Sequence, residues 1–262
     1  MTATRSLAIL IAAKDEESSI SQVIESHYSL LQNYDHQLQW EIGVLDDGST
    51  DQTLAVITSL QKKYPSLKIW HNDRPSGIAS AFRQLAENSQ NEWIYITSGD
   101  GQFTSIGLEK MIISWLLNPI TTLGVRASRF ASYGTWRSII SFVFQTSTRV
   151  VFRVNLRDPG SVKIIRREVS LIDLKSRSTM RDAELLAMAY HFYGGLQFVE
   201  IPFLARNSGK SSGTKPGNLI ANLQDLLMLT FSPVHRIKTH RFGSKPAKDD
   251  TNHDPKAKPA KK

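Results

Sequence analysis

The chain of 262 residues contains no cysteine. Disulfides, thiolate metal sites and cysteine nucleophiles are therefore excluded, and the absence fits a reducing cytoplasm. It also lacks a glycine-rich phosphate loop. Gly77 is isolated, and the full P-loop pattern Gly-x4-Gly-Lys-Ser/Thr is absent, so ATP hydrolysis and dinucleotide redox chemistry have little support. No His pair has the helical spacing of a metal site, and no serine lies in a nucleophile elbow. Long apolar runs are missing as well. Stretches such as 111–117 and 223–231 fall short of the ~20 residues that span a bilayer. The opening residues carry one arginine and then a strand-like run broken at Lys14–Glu17, without the h-region and cleavage site of a signal peptide. A soluble or peripheral protein is expected.

Hydrophobic residues make up 40% of the chain, enough for a sizeable core and against global disorder. The net charge is +8. Part of it lies in the segment 244–262, where six lysines face three aspartates in a Pro/Ala-rich context that cannot order itself by burial. That tail is expected to be solvated; attraction to anionic lipid is the alternative reading. The basic residues do not form an aromatic-interleaved patch, so nucleic acid is not an expected partner.

Strand-like and helix-like patterns alternate through the first hundred residues, with no internal repeat. Ser6–Ala13 is a near-continuous apolar run, as expected of a parallel strand covered on both faces. Asp15 is placed to cap the helix whose stripe is Ile20, Val23, Ile24, His27, Leu30 and Leu31. Further strands are expected at Glu41–Leu45, Leu67–His71 and Trp93–Thr97. Helices are expected around Leu54–Leu60 and over Ile78–Glu87, the latter with Ile78, Phe82 and Leu85 inward. This alternation predicts an α/β fold with a doubly wound, mostly parallel sheet and helices on both faces. Beyond Gln102 a helix over Ile106–Leu117, a strand over Thr122–Arg126, a helix over Met180–Tyr193, a strand over Phe198–Phe203 and a helix over Asn218–Phe231 are expected. Ligands of such sheets bind at the carboxyl ends of the strands. Those ends read Lys14-Asp15-Glu16, Asp46-Asp47-Gly48-Ser49, Asn72-Asp73-Arg74 and Ser98-Gly99-Asp100. Aspartate is common in any turn, but acids on several ends of one edge suit a polar ligand bridged by a metal.

At these residues the sequence resembles glycosyltransferase family 2. "ILIAAKDEESSI" is similar to the family's opening Ile-Pro-Ala-Tyr-Asn-Glu-Glu run, "VLDDGSTDQT" to Val-Asp-Asp-Gly-Ser-Thr-Asp, and "SGDGQF" to Asp-x-Asp-Gly-Gln. "LGVRASRF", "RDPGSVKIIRR" and "VEIPFLARNSGKSS" resemble later segments of the dolichyl-phosphate mannose synthase-like branch. The likeness runs in order from about Ser6 to Lys215.

The resemblance implies one GT-A domain over 1–243, with a nucleotide-sugar half to about residue 103 and an acceptor half after it. It implies an inverting transferase moving a hexose from a GDP- or UDP-sugar, with Mg2+ or Mn2+ as cofactor. By position, Asp47 would contact the nucleoside beside Asp46, and Ala12, Lys14 and Glu16 would line base and ribose. Asp100 would hold the metal. Ser98, Gly99 and Gln102 would border the donor, Arg126 would face phosphate, and Arg206 and Lys210 belong to a loop folding over the donor. Asp182 and Glu184 match the place of an acid near the acceptor; without the resemblance they read as an acidic first turn of a helix. The acceptor implied is a polyprenyl phosphate, reached at the cytoplasmic face of a membrane. A saccharide hydroxyl in envelope polysaccharide synthesis is the alternative.

Three positions depart from the pattern: Ala12 stands for a proline, Lys14 for a tyrosine and Ser98 for the first acid of Asp-x-Asp. They leave open a non-catalytic nucleotide-sugar-binding subunit. Segment 133–154, with Trp136, Phe142, Phe144 and Phe152 among Arg137, Arg149 and Arg153, fits a membrane interface or a packed core, as does the helix at 218–231.

Overall fold

Seven apolar residues in succession, Leu7–Ala13, are buried in the strand β1 (Arg5–Ala13), which runs through the middle of the sheet. A computed structural model describes residues 5–127, 135–176, 178, 180–204 and 216–231. The described residues lie within one compact unit, Met1–Ser232. Arg206, Lys210, the tail 244–262 and the first residues of segment 133–154 fall outside the described residues.

The chain leaves β1 through α1 (Ile20–Gln32) to β2 (Leu38–Asp47), then through α2 (Thr53–Lys63) to β3 (Lys68–Asn72), all parallel and on one side of β1. It returns through α3 (Ile78–Asn88) to β4 (Trp93–Ser98), which pairs with β1 on its other flank. β1 and β4 therefore bound the point where the winding reverses, and Ala12 lies opposite Ser98 across it. In open α/β sheets that crevice is where ligands bind.

The pleat sends alternate side chains to opposite faces. Leu7, Ile9, Ile11 and Ala13 join the buried stripes of α1, α2 and α4 (Ser105–Leu117) in the main core. Ala8 and Leu10 are buried on the other face, where α3 packs on β1 and β2 through Ala81, Leu85 and Ala86. Ile78 and Phe82, expected inward, instead border a cleft, and Ile78 is 57% exposed. The inward side of α3 is made of Ala81, Leu85 and Ala86, two of them small, which lets the helix lie close to the sheet.

The second half departs from simple winding. β5 (Thr121–Arg126) is followed by α5 (Thr135–Phe152) and then by β6 (Lys163–Arg166), which inserts between β4 and β5 antiparallel to both. Four residues, Lys-Ile-Ile-Arg, are too short to announce themselves by periodicity. After the short α6 (Arg167–Ser170) come α7 (Met180–Phe192), β7 (Leu196–Ile201) and α8 (Pro216–Phe231). β7 pairs parallel with β5, completing the order β3-β2-β1-β4-β6-β5-β7. Among the described residues no helix is long and apolar enough to cross a membrane.

Candidate functional site

The strand ends of the reversal point carry acids that the fold uses in different ways. Asp46 is fully buried: one oxygen accepts from the Ser49 hydroxyl and the other lies 2.7 Å from Nδ1 of His71. Asp47 is 4% exposed. Its Oδ1 accepts from Asn72 Nδ2 (2.9 Å), the Ser76 amide (2.8 Å) and the Ser76 hydroxyl (2.8 Å), and its Oδ2 from the Gly77 amide (2.9 Å). Burial pushes this carboxyl up, but the four donors outweigh it and hold the pKa below the usual carboxylate range. Asp47 thereby ties the loop 72–77 to the end of β2. Gly48 has φ of 69°, and a Cβ there would sit 2.7 Å from the Arg74 and Pro75 backbone. The turn needs a residue that tolerates left-handed φ and adds no side chain.

Asp15 does not cap α1. It has φ of 54°, and its Oδ1 reaches across to accept from the Thr50 amide (2.7 Å) and hydroxyl. Those bonds, with Lys14 Nζ at 2.9 Å, lower its pKa to about 2. Lys14 is thus ion-paired on the exposed rim of the same edge. Glu16 is 8% exposed, its amide donates to the Thr53 hydroxyl, and its carboxylate accepts from Ser19. The Ser19 hydroxyl also lies 2.8 Å from the Gly99 carbonyl, so α1 is stitched to the end of β4. Ala12 is buried between its partners on β2 and β4. A Cβ on Gly99 would come within 2.9 Å of Ile20 Cδ1.

Asp100 follows directly. Its Oδ1 accepts from the Gln102 amide (3.1 Å), and Gln102 is zipped to Leu204 by bonds to the Leu204 amide and carbonyl. Glu16 and Asp100 border one cavity of about 650 Å³. Among the described residues no three His, Asp or Glu side chains converge on a metal position. A single carboxylate with hard oxygens still fits Mg2+ or Mn2+, which can complete the shell from a diphosphate and water.

Arg126 at the end of β5 makes two parallel bonds to Asp158, 2.8 Å from Nε and 2.7 Å from Nη2, and lies over the Phe203 ring. Its planar fork is matched to a carboxylate, so in this structure Arg126 joins the 158–162 turn to β5. Asp158 belongs to "RDPGSVKIIRR" and is 1% exposed.

Beside the reversal point opens a cleft of about 510 Å³ between α3, the end of β4, the start of β6 and α7. Ser98 and Phe103 border it from the side of the β4 end. Ile78, Phe82, Leu174 and Leu185 make much of its wall apolar. Asp182 is on this wall, 2.8 Å from Nζ of Lys163. Glu184 is not among the lining residues. It is 4% exposed, and its oxygens accept from the Lys175 and Ser176 amides and the Ser176 hydroxyl. On a helix, positions 182 and 184 point about 200° apart, so the cleft that receives Asp182 excludes Glu184. Lys163 is the residue at this site that sequence reasoning missed. Its signal was a lone lysine in an otherwise apolar Val-Lys-Ile-Ile run.

Comparison with known proteins places this geometry in context. The family described as Glycosyl transferase family 2 matches residues 8–171. Dolichyl-phosphate beta-glucosyltransferase ALG5A of Trichomonas vaginalis is 24% identical over 245 residues, 88% of this chain and 74% of that protein. Beta-monoglucosyldiacylglycerol synthase of Nostoc sp. is 32% identical over 101 residues, 38% of this chain. The matched stretch spans about a fifth of that synthase's length. Among solved structures, glucosyl-3-phosphoglycerate synthase from Mycobacterium tuberculosis in complex with uridine diphosphate superposes with a TM-score of 0.65 at 16% identity. The match covers 87% of this chain and 81% of that one. The same enzyme with Mn2+, UDP-glucose and phosphoglyceric acid gives 0.63. At such identity the likeness shows a shared fold.

Proposed function

The chain belongs to glycosyl transferase family 2, and from that premise we propose that it transfers a hexose from a nucleotide-diphosphate sugar to a polyprenyl-type lipid phosphate, with inversion at the anomeric carbon. The observation that carries the reading is the junction of two unlike surfaces at the β1/β4 reversal. An edge bearing Glu16 and Asp100 adjoins an apolar cleft that holds Lys163, with Phe103 bordering both. A charged, water-soluble donor suits the first surface and an amphiphilic acceptor the second. The dolichyl-phosphate and diacylglycerol substrates named for the two relatives are lipids of that kind.

In this reading Asp100 holds Mg2+ or Mn2+, which supplies charge stabilisation to the departing diphosphate. Lys14, Glu16, Ser98 and Gln102 border the donor; Arg206 and Lys210, which the resemblance assigns to it, lie outside the described residues. Asp46 and Asp47 act through the loops they hold, Asp47 presenting 72–77 to the nucleoside. Arg126 acts by seating the 158–162 turn. An oxygen of the acceptor phosphate attacks C1 of the sugar as the bond from C1 to the diphosphate oxygen breaks. The electron pair leaves with the nucleoside diphosphate. The attacking oxygen is already anionic, so no proton need be removed. The cleft position of Asp182 favours a second reading, in which it takes a proton from an acceptor hydroxyl.

The test incubates the protein with labelled UDP-glucose or GDP-mannose, Mn2+ and vesicles containing polyprenyl phosphate, followed by organic extraction. Label should appear in the organic phase, and Asp100→Ala should abolish both transfer and the metal dependence of donor binding. Label confined to the aqueous phase would refute the lipid acceptor. Metal-independent transfer would refute the role of Asp100.

A further inference from the structure

We propose that Lys163, Ser161 and Arg181 form the subsite that binds the anionic phosphate head of the acceptor, and that Asp182 is a positioning residue that aims Lys163. The inference rests on the acceptor reading above and deepens it.

Lys163 begins β6 where that strand enters between β4 and β5, opposite Ile96 on one side and Leu123 on the other. It is 4% exposed, and its neighbours along the chain, Val162 and Ile164, are buried apolar residues, as is Ile96 across the strand pair. A buried ammonium is costly unless its donors are used. One of its three donors goes to Asp182 at 2.8 Å, and among the described residues no second acceptor is bonded to it. Asp182 is itself 42% exposed at the side chain, so this pair is wet on one side and does not explain why a lysine occupies the floor of the cleft.

A second observation is independent of the first. Ser161 borders the same cleft at 3% exposure, and its hydroxyl has no partner among the described residues. An unpaired buried hydroxyl is costly, so a ligand that supplies the missing acceptor recovers a real penalty. Arg181 lines the cleft beside Asp182 and has no ion-pair partner among the described residues. Among the described residues of the wall, the cations Lys163 and Arg181 face one carboxylate, Asp182, a surplus of one positive charge. The third cation of the wall, Arg83, is already paired with Glu87 and Asp173. Among the described residues, two lysine donors, one hydroxyl and one guanidinium are left for a compact, multiply accepting anion. A phosphate monoester has three such oxygens. The apolar walls formed by Ile78, Phe82, Leu174 and Leu185 then receive a hydrocarbon chain attached to it.

The assignment gives Asp182 a job unlike that of a general base. Its carboxylate fixes the ammonium in one rotamer, so the lysine meets the phosphate preorganised. The attacking phosphate oxygen forms its bond to C1 without losing a proton, and nothing needs to accept one.

The experiment uses the full chain with saturating donor and Mn2+. The acceptor arms are a short-chain polyprenyl phosphate in neutral phosphatidylcholine vesicles and, separately, water-soluble 3-phosphoglycerate, with inorganic phosphate as competitor. Lys163→Met should raise the KM of the acceptor about 10- to 100-fold, the range expected for losing charge-assisted contacts, while the KM of the donor is unchanged. Lys163→Arg should restore the acceptor KM to within a few-fold. Asp182→Asn should raise the acceptor KM with kcat nearly kept and both limbs of the pH profile intact. Lys163→Gln carries the expectation of the methionine variant if the latter does not fold. Transfer to either phosphate arm supports the subsite and tells a lipid source from a small one. An unchanged acceptor KM in Lys163→Met overturns the proposal. So does a fall in kcat of about 100-fold or more in Asp182→Asn with loss of the acid limb, which marks a general base. If the wild type binds donor but transfers to neither arm, the acceptor reading fails. The subsite is then judged by 31P NMR titration with inorganic phosphate. Binding that disappears in Lys163→Met upholds it, and no binding in either protein overturns it.

Discussion

Replacing Asp47 by asparagine tests how the fold holds the candidate donor edge. The substitution keeps the shape but turns one acceptor oxygen into a donor. Oδ1 accepts three of the four bonds, so the asparagine oxygen will take that side and its NH2 will face the Gly77 amide. One bond to a charged acceptor is lost, worth about 1.5–3 kcal/mol, and a largely buried N–H is left against another donor. The expected destabilisation is therefore about 2–4 kcal/mol at pH 7. For a chain of this size each kcal/mol moves Tm by roughly 2–4 °C, so a fall of roughly 4–16 °C is expected. The pH dependence has a definite sign. The folded pKa of Asp47 lies below its unfolded value. Its contribution is therefore complete above the unfolded pKa of about 3.9 and is lost as pH falls through the folded value. The gap between wild type and variant should be full at pH 7 and shrink below pH ~4. Circular dichroism melts across that range, with amide exchange at Ser76 and Gly77, read both effects. A variant that melts within 1 °C of wild type and keeps protection at those two amides would refute the account.

Two further outcomes follow from the same geometry. Gly48→Ala meets a left-handed φ, which costs about 1–2 kcal/mol, and places a Cβ 2.7 Å from the Arg74–Pro75 backbone. Tm and nucleotide-sugar affinity should fall together, and a change in neither would refute the close crossing. His27 is fully buried, and that burial lowers its pKa to about 4 despite the 2.7 Å contact between its Nδ1 and the Val23 carbonyl. Its neutral form is the one that folds, so its contribution is present above the unfolded pKa of about 6.5 and drains away as pH falls towards 4, by up to about 3 kcal/mol. Urea unfolding from pH 7 to 4 should show this slope in wild type and lose it in His27→Leu; equal slopes would refute it.

Legibility of the sequence varied with the range of the interaction. Covered parallel strands show as apolar runs, and helices as stripes, because burial acts on neighbours in the chain. β1 through β4 and the helices between them were readable for that reason, and so was the gathering of acids on one edge. β6 was not, since four residues carry no period and its place between β4 and β5 is set by partners about 40 and 70 residues earlier. Asp15 shows the same limit at single-residue scale. As a local feature it reads as a cap for α1, but its oxygens accept from Thr50 and Lys14 instead.

By itself the sequence determined that this is an α/β chain wound about a mostly parallel sheet, with Asp100, Asp47 and Glu16 at strand ends on one edge. Those are consequences of short-range periodicity and of turns that favour aspartate. Only the tertiary structure decided what each charge is committed to. It gave Asp46 to His71, Arg126 to Asp158, Glu184 to the 175–176 turn and Asp182 to Lys163. A carboxylate takes its role from the donors that folding brings within 3 Å. Most of those donors lie 8 to 35 residues away, where no local pattern records them.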